Sequence, residues 1–183
     1  LCDAGAEYGF YASDITRTWP TNGRFSKAQR ELYDIVLAAQ LECIGKAAVG
    51  VAYDVIHQAA VQVITDGLLS LGLLKGSLKK NIESAAYKKF YMHKTGHWIG
   101  LDVHDVGEYK LGGSSRLLEP GMVFTVEPGL YIAPGTPGVP DKYQGIGIRI
   151  EDDVLMTAKG PEVISDGVPK TVDAIESLMA SAR

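Results

Sequence analysis

Cysteine is scarce in this sequence. Cys2 and Cys43 stand far apart and form neither a disulfide framework nor a metal-binding spacing. Both read as small buried hydrophobes of a reducing compartment. No apolar run approaches the roughly 20 residues of a membrane span, so no membrane association is expected. Positive charge is not in excess: 18 Lys and Arg face 22 Asp and Glu, for a net charge of −4. That leaves no basic footprint for nucleic acid or an anionic membrane. There is no internal repeat, no low-complexity segment and no linker. No secretory leader is visible, and Leu1 stands in what reads as a strand already under way, so the chain is expected to continue a longer protein. What remains is the composition of a soluble globular protein, with 183 residues, 46% hydrophobic and 22% charged. This suits one domain, or a large part of one, with a real core.

The pattern along the chain is α+β. Residues 1–7 and 10–18 read as two strands around a Tyr8-Gly9 turn. Ser26 with Gln29 three positions on is a capping-box signature. The helix it opens shows Leu32, Ile35, Val36, Ala39 and Ile44 on one face, and Gly50 closes that unit. A second helix is expected from about Tyr53 to Leu71, with Val55, Ala59, Val63 and Leu68 or Leu69 inward. "SLKKNIESAAYKKF" reads as a short, basic, exposed helix. From Tyr91 onward short strands alternate with Gly/Pro turns: "HWIGLDVHDV", "GMVFTVEPGLYIAP" and "GIGIRIEDDVLMT". Residues 133–145 read as an ordered loop insert, and "VDAIESLMASAR" as a final helix.

The acids carry the chemistry. Asp3, Asp14, Glu127 and Glu151 each interrupt a segment that otherwise looks buried. A buried lone carboxylate must be paired, protonated or metal-bound. Basic residues near them are few: Arg17, Arg149 and Lys94. Two divalent ions would balance four carboxylates. A neutral histidine would complete a mostly oxygen shell, which suits Mn²⁺ or Mg²⁺ rather than thiolate zinc. Two metals about 3.5–4 Å apart can hold one hydroxide between them and polarise a carbonyl. Taken singly, each acid also reads as a turn or strand-end residue, and Glu151-Asp152-Asp153 as a solvated edge. Three of the four histidines, His93, His97 and His104, fall within twelve positions. Each alone also reads as a satisfied core histidine, and His57 as a structural or exposed helix residue. His93 and His97 have the spacing of a helical zinc pair, but Thr95-Gly96 between them disfavours a helix and no HExxH glutamate is present.

Four stretches together are far more specific: "DAGAEYGFYASDITRTWP", "MHKTGHWIGLDVHDVG", "LEPGMVFTVEPGLYIAP" and "YQGIGIRIEDDV". In this order they resemble the successive motifs of the aminopeptidase P branch of the pita-bread metallopeptidases, a family that also holds prolidases, methionine aminopeptidases and creatinase. The resemblance covers nearly the whole chain. Trp98 after "TGH" and the loop from Pro134 to Gly145 resemble aminopeptidase P more than prolidase.

The resemblance implies a pita-bread fold, a curved mixed sheet with flanking helices, and a dimetal enzyme that hydrolyses the N-terminal Xaa-Pro bond of peptides by a metal-bridging hydroxide. It implies five ligands. Asp3 would bind one metal with both oxygens, Asp14 and Glu151 would bridge, and His97 and Glu127 would complete the other shell. Glu127 would also act as general base and then acid, and His104 would touch substrate near the scissile bond. His93, Tyr131 and Arg149 would line the pocket for proline. Two metals, most simply Mn²⁺, peptides with proline second, a homo-oligomer of the full-length protein and a cytoplasmic location are expected. So is a catalytic domain that begins upstream of residue 1, behind an N-terminal domain. Val49 departs from the proline the family often has before its glycine. Prolidase activity, on Xaa-Pro dipeptides only, is the near alternative. A non-catalytic binding module on this fold is the distant one, and five intact ligands weigh against it.

Overall fold

A computed structural model describes residues 1–182. The chain opens with two stacked pieces of hairpin. β1 (Cys2–Asp3) pairs with β4 (Thr16–Arg17), and β2 (Glu7–Tyr8) pairs with β3 (Tyr11–Ala12), all antiparallel. The two long strands read from sequence are thus interrupted. At the break the Ser13 hydroxyl accepts from Ala6 N–H (2.8 Å) and donates to Ala6 C=O (2.9 Å), replacing a ladder step by side-chain bonds. Cys2 is exposed rather than buried, because β1 pairs with β4 alone.

α1 (Lys27–Lys46) begins where the sequence places it. Gln29 N–H donates to Ser26 Oγ (3.2 Å), and Ser26 N–H donates to Gln29 Oε1 (2.8 Å). Its buried face carries Leu32, Val36, Ala39 and Cys43, while Ile35 and Ile44 lie at the margin. α2 (Asp54–Ser70) returns against it. Its buried residues are Ile56, Ala60, Val61, Ile64, Thr65 and Leu68, so the expected face of Val55, Ala59 and Val63 is one position out. Adjacent apolar pairs (Val55-Ile56, Ala59-Ala60, Val63-Ile64) make the stripe wider than the buried face, and periodicity alone cannot choose between its edges.

The basic helix divides into α3 (Leu78–Glu83) and a 3₁₀ turn over Ala86–Lys89, split at Ala85, whose φ is +53°. It is not wholly exposed, since Asn81, Tyr87 and Phe90 are buried. The "HWIGLDVHDV" stretch makes only an isolated bridge, Trp98 to Phe124. β5 (Lys110–Leu111) and β6 (Ser114–Ser115) form a small hairpin that no apolar pattern announces.

β7 (Val123–Val126), β8 (Gly129–Tyr131), β9 (Gly147–Arg149), β10 (Asp152–Thr157) and β11 (Gly160–Val163) complete the strands. β10 lies between β7 and β11, and β8 pairs with β9, all antiparallel. α4 (Val172–Ser181) closes the described chain. One core joins helices and strands: Leu32, Val36, Ile64 and Leu68 meet Phe124, Ile148, Ile150, Val154 and Met156 in a single buried cluster. Among the described residues no helix is long and apolar enough to cross a membrane.

The helix pair makes one very close approach. A Cβ on Gly67 would lie 2.7–2.8 Å from three side-chain carbons of Ile35. Overpacking costs about 1–3 kcal/mol, more than the roughly 1 kcal/mol that alanine gains over glycine in a helix. Gly67→Ala should therefore destabilise the fold in denaturant unfolding, and should become stabilising in an Ile35→Ala background. Additivity between the two substitutions would contradict this packing.

Candidate metal centre

The termini of several short elements converge on one cavity of about 750 Å³. Asp3 ends β1, and Asp14 sits between β3 and β4. Glu127 follows β7, and Glu151 lies between β9 and β10. His97 comes from an irregular segment that runs beside β7: Thr125 N–H donates to His97 C=O (2.9 Å), and Glu127 N–H to Thr95 C=O (2.8 Å). Gly96 permits this approach, since a Cβ there would lie 2.0 Å from Thr125 O. The backbone around His93 and His97 is irregular, so the helical zinc pair does not form.

The ligand atoms form three overlapping triads, each within 4.8 Å: Asp3, Asp14 and Glu151; His97, Glu127 and Glu151; and Asp14, His97 and His104. Asp14, His97 and Glu151 are each shared between two triads. His97 Nε2 faces Asp14 Oδ2 at 3.3 Å and Glu127 Oε1 at 3.6 Å. Its Nδ1 lies 2.9 Å from Trp98 C=O, a group that only accepts. The proton therefore belongs on Nδ1, and Nε2 presents a lone pair to the cavity. His104 packs edge-on against His97, ring centroids 4.3 Å apart, so geometry alone also admits it as a ligand.

Burial is uneven. Glu151 is 2% exposed and Asp14 8%. The Asp3 side chain is 46% exposed, which corrects its reading as a buried strand acid: it lies at the rim, on the outermost hairpin. Asp152 and Asp153 are buried too, so the acidic run is no solvated edge. Burial, then the neighbouring carboxylates, raises Asp14 above its ordinary value. Burial pushes Glu127 to about 7 and Glu151 to about 8, with acid neighbours adding to the rise. These groups resist ionising together, so the donor set fits cations.

Arg149 is the cation that touches the cluster. Nη2 donates to Asp3 Oδ2 (2.5 Å) and Nε to Thr16 Oγ1 (3.0 Å); Thr16 in turn donates to Glu151 Oε2 (2.5 Å). Nη1 reaches Tyr131 Oη at 3.4 Å. His93 Nδ1 faces Lys94 C=O at 2.6 Å, so it carries the proton, and His93 Nε2 accepts from Tyr131 Oη at 2.8 Å. The structure thus brings together all the residues singled out from sequence. Tyr131 stands behind His93 and Arg149 rather than on the cavity wall.

Sequence reasoning missed several supports. Thr16 orients Glu151, and Asp153 Oδ2 accepts from Asp14 N–H at 3.1 Å. Thr125 Oγ1 accepts from His97 N–H at 3.1 Å. His57 lines the cavity and bonds Thr95 Oγ1 at 2.7 Å, and burial lowers it to about 4, so it stays neutral. The acid run after Glu151 and the polar residues within apolar strands were the available signals.

The chain belongs to metallopeptidase family M24, whose model matches residues 1–158, and it has that family's pita-bread fold. It is 50% identical over 183 residues to the Xaa-Pro aminopeptidase of Escherichia coli K12, which covers 100% of this chain and 41% of that protein. It is 50% identical over 179 residues to the Xaa-Pro aminopeptidase of Haemophilus influenzae, covering 98% of this chain and again 41% of the relative. Aminopeptidase PepP of Pseudomonas aeruginosa superposes with a TM-score of 0.97 at 57% identity, over 98% of this chain and 41% of that one. A zinc-substituted E. coli aminopeptidase P with product superposes at 0.94 and 50% identity, over 99% and 41%. The chain thus spans about two fifths of the length of these relatives.

Raised carboxylate pKa values mean that the metal-free native state holds protons more tightly than the unfolded chain. Their stabilising effect is full below the ordinary glutamate value of 4.5 and is lost as pH rises through about 7 and 8. The metal-free chain should therefore be less stable at pH 8 than at pH 5, and metal binding should release protons at pH 6. Thermal unfolding and calorimetry in buffers of different ionisation enthalpy check this. Proton-neutral binding at pH 6 would contradict it.

Proposed function

We propose that this chain is the C-terminal part of the catalytic domain of a dimetal Xaa-Pro aminopeptidase, which removes the first residue from peptides with proline in second position. The observation that carries the reading is the convergence of Asp3, Asp14, His97, Glu127 and Glu151 on one cavity. The identity to Xaa-Pro aminopeptidases over the full length of the chain supports it. The five residues would hold two divalent cations. Mn²⁺ is our choice, on the oxygen-rich donor set. A cytoplasmic homo-oligomer is proposed with it; the exposed Tyr8, Phe10 and Tyr11 at the tip of the first hairpin support burial against further protein.

Bound there, the two cations would supply Lewis acidity toward the scissile carbonyl and would lower the pKa of water. The rest falls to the chain's own side chains. Glu127 would take a proton from the attacking water on a carboxylate oxygen and return it to the proline nitrogen as the C–N bond breaks. His104, exposed at the mouth, is placed to donate to the carbonyl oxygen as it becomes an oxyanion. The directed chain from Arg149 through Tyr131 to His93 fixes the His93 ring as a wall for the proline. Proline has one allowed φ and no N–H, so a shaped wall selects it without a hydrogen-bond acceptor.

Two substitutions in the intact natural protein test this. Asp14→Asn should abolish most turnover of an Xaa-Pro tripeptide and lower metal content below two per chain. His104→Ala should lower kcat about 10²–10³-fold, the usual loss on removing an oxyanion donor, with metal content unchanged. A His104 variant that loses metal would move this residue into the ligand set. Hydrolysis of dipeptides alone would make the enzyme a prolidase.

A further inference from the structure

Behind Glu151, on the side away from the cavity, lies a buried polar cluster that the proposed reaction leaves unused. Asp152 is fully buried. Its Oδ1 accepts from Arg17 Nη2 and Ser165 Oγ, and its Oδ2 from Gln40 Nε2 and Lys170 Nζ, all at 2.7 Å. These donors come from β4, from α1 and from the segment between β11 and α4. A carboxylate has about four lone-pair sites, and all are taken. Arg17 is equally saturated. Nε donates to Pro169 C=O (3.1 Å), and Nη1 to Thr16 C=O (3.0 Å) and Glu151 C=O (2.6 Å). Nη2 donates to Asp152 and to Val168 C=O (2.9 Å). Each of its five N–H donors has an acceptor.

Stability alone does not account for this cluster, because an apolar core of the same volume is often as stable as a buried ion pair. Its location suggests a different role. β4, just after Asp14, forms a ladder only with β1, while β10, just after Glu151, forms ladders with β7 and β11. No ladder therefore fixes the distance between the two carboxylates proposed to bridge. Scattered bonds join the segments instead: Glu151 N–H to Thr16 C=O (3.1 Å), Thr16 Oγ1 to Glu151 Oε2, and Asp14 N–H to Asp153. Arg17 Nη1 adds a rigid link, since one planar nitrogen holds the carbonyls of Thr16 and Glu151 together.

We infer that Arg17, held by Asp152, is a positioning residue that sets the separation of the Asp14 and Glu151 carboxylates and so determines whether the second cation is bound. This rests on the dimetal reading above. Lysine could keep the charge beside Asp152, but its ammonium cannot reproduce the planar five-donor fork.

The test is calorimetric titration of Mn²⁺ into the metal-stripped, intact natural protein, with visible absorption of the Co²⁺-loaded form as a second readout. Arg17→Lys should bind the first Mn²⁺ like the unaltered protein and the second about 10–100-fold more weakly, the range seen when a group orienting a metal ligand is lost. Its Co²⁺ spectrum should change, and excess Mn²⁺ should restore turnover. Asp152→Asn should weaken the second site by a smaller factor. Gln40→Met, which removes a bond to Asp152 but none to Arg17 or otherwise to the segments that carry Asp14 and Glu151, should lower the melting temperature and leave both affinities unchanged. If Arg17→Lys does not fold, Asp152→Asn decides. Variants that melt earlier yet bind two Mn²⁺ with unaltered affinities and spectrum would overturn the inference, leaving a structural cluster only. An unaltered protein that binds fewer than two Mn²⁺ would instead overturn the dimetal reading, and this inference with it.

Discussion

Like charge held at short range is the constraint on which the rest of this structure depends. Asp3, Asp14 and Glu151 place oxygens within 4.8 Å of one another, and Glu127 joins Glu151 and His97 within the same limit. Glu151 is almost fully buried, and Glu127 largely so. Coulomb repulsion at such distances in a low-dielectric site is worth several kcal/mol. Without cations, burial first and the neighbouring acids after it keep protons on the cluster, so Glu127 lies near 7 and Glu151 near 8. Divalent cations would relieve it at neutral pH and release those protons to solvent.

The scaffold counters that repulsion by packing rather than by salt bridges at the site. Among the described residues, Arg149 is the one guanidinium or ammonium paired with the carboxylates of Asp3, Asp14, Glu127 or Glu151, whereas Arg17 bonds only the Glu151 backbone. Instead the proposed ligands are tied to backbone that the core holds. His97 is fixed beside β7 through Thr125, and Phe124 and Val126 anchor that strand in the core. Glu151 stands between Ile150 and Asp152, the first in the apolar core and the second in the saturated polar cluster. Asp14 is held through Asp153. The weakest hold is on Asp3, at the end of a two-residue strand on the outermost hairpin, where Arg149 alone gives it a short contact.

The fold class was legible in the sequence, and so was which acids and histidines would share one cavity; the detail of the elements around them was not. Acids inside apolar runs announce a cost that something must offset, but Asp14, Glu127 and Glu151 each also read singly as turn or edge residues, and only their combination was specific. Their assignment to one cluster came from the order of the motifs, which encodes the topology. Asp3 was misjudged because hydropathy does not distinguish a rim from a core when the covering surface is not adjacent in sequence. The capping box at Ser26 and Gln29 is local chemistry and was readable. The buried face of α2 was not, because paired apolar residues leave two registers equally apolar and tertiary packing against α1 decides. The roles of Arg17, Thr16 and Asp153 were hidden for a related reason: their partners lie some 134 to 139 positions away, and no local pattern carries that information.

The central claim is that five side chains from separate segments hold two cations with Asp14 and Glu151 between them. Anomalous diffraction from crystals of the intact natural protein grown with Mn²⁺ tests it most directly. The account predicts two peaks about 3.5–4 Å apart, one bounded by Asp3, Asp14 and Glu151 and the other by Asp14, His97, Glu127 and Glu151. A single peak, or two peaks that do not share Asp14 and Glu151, would contradict it.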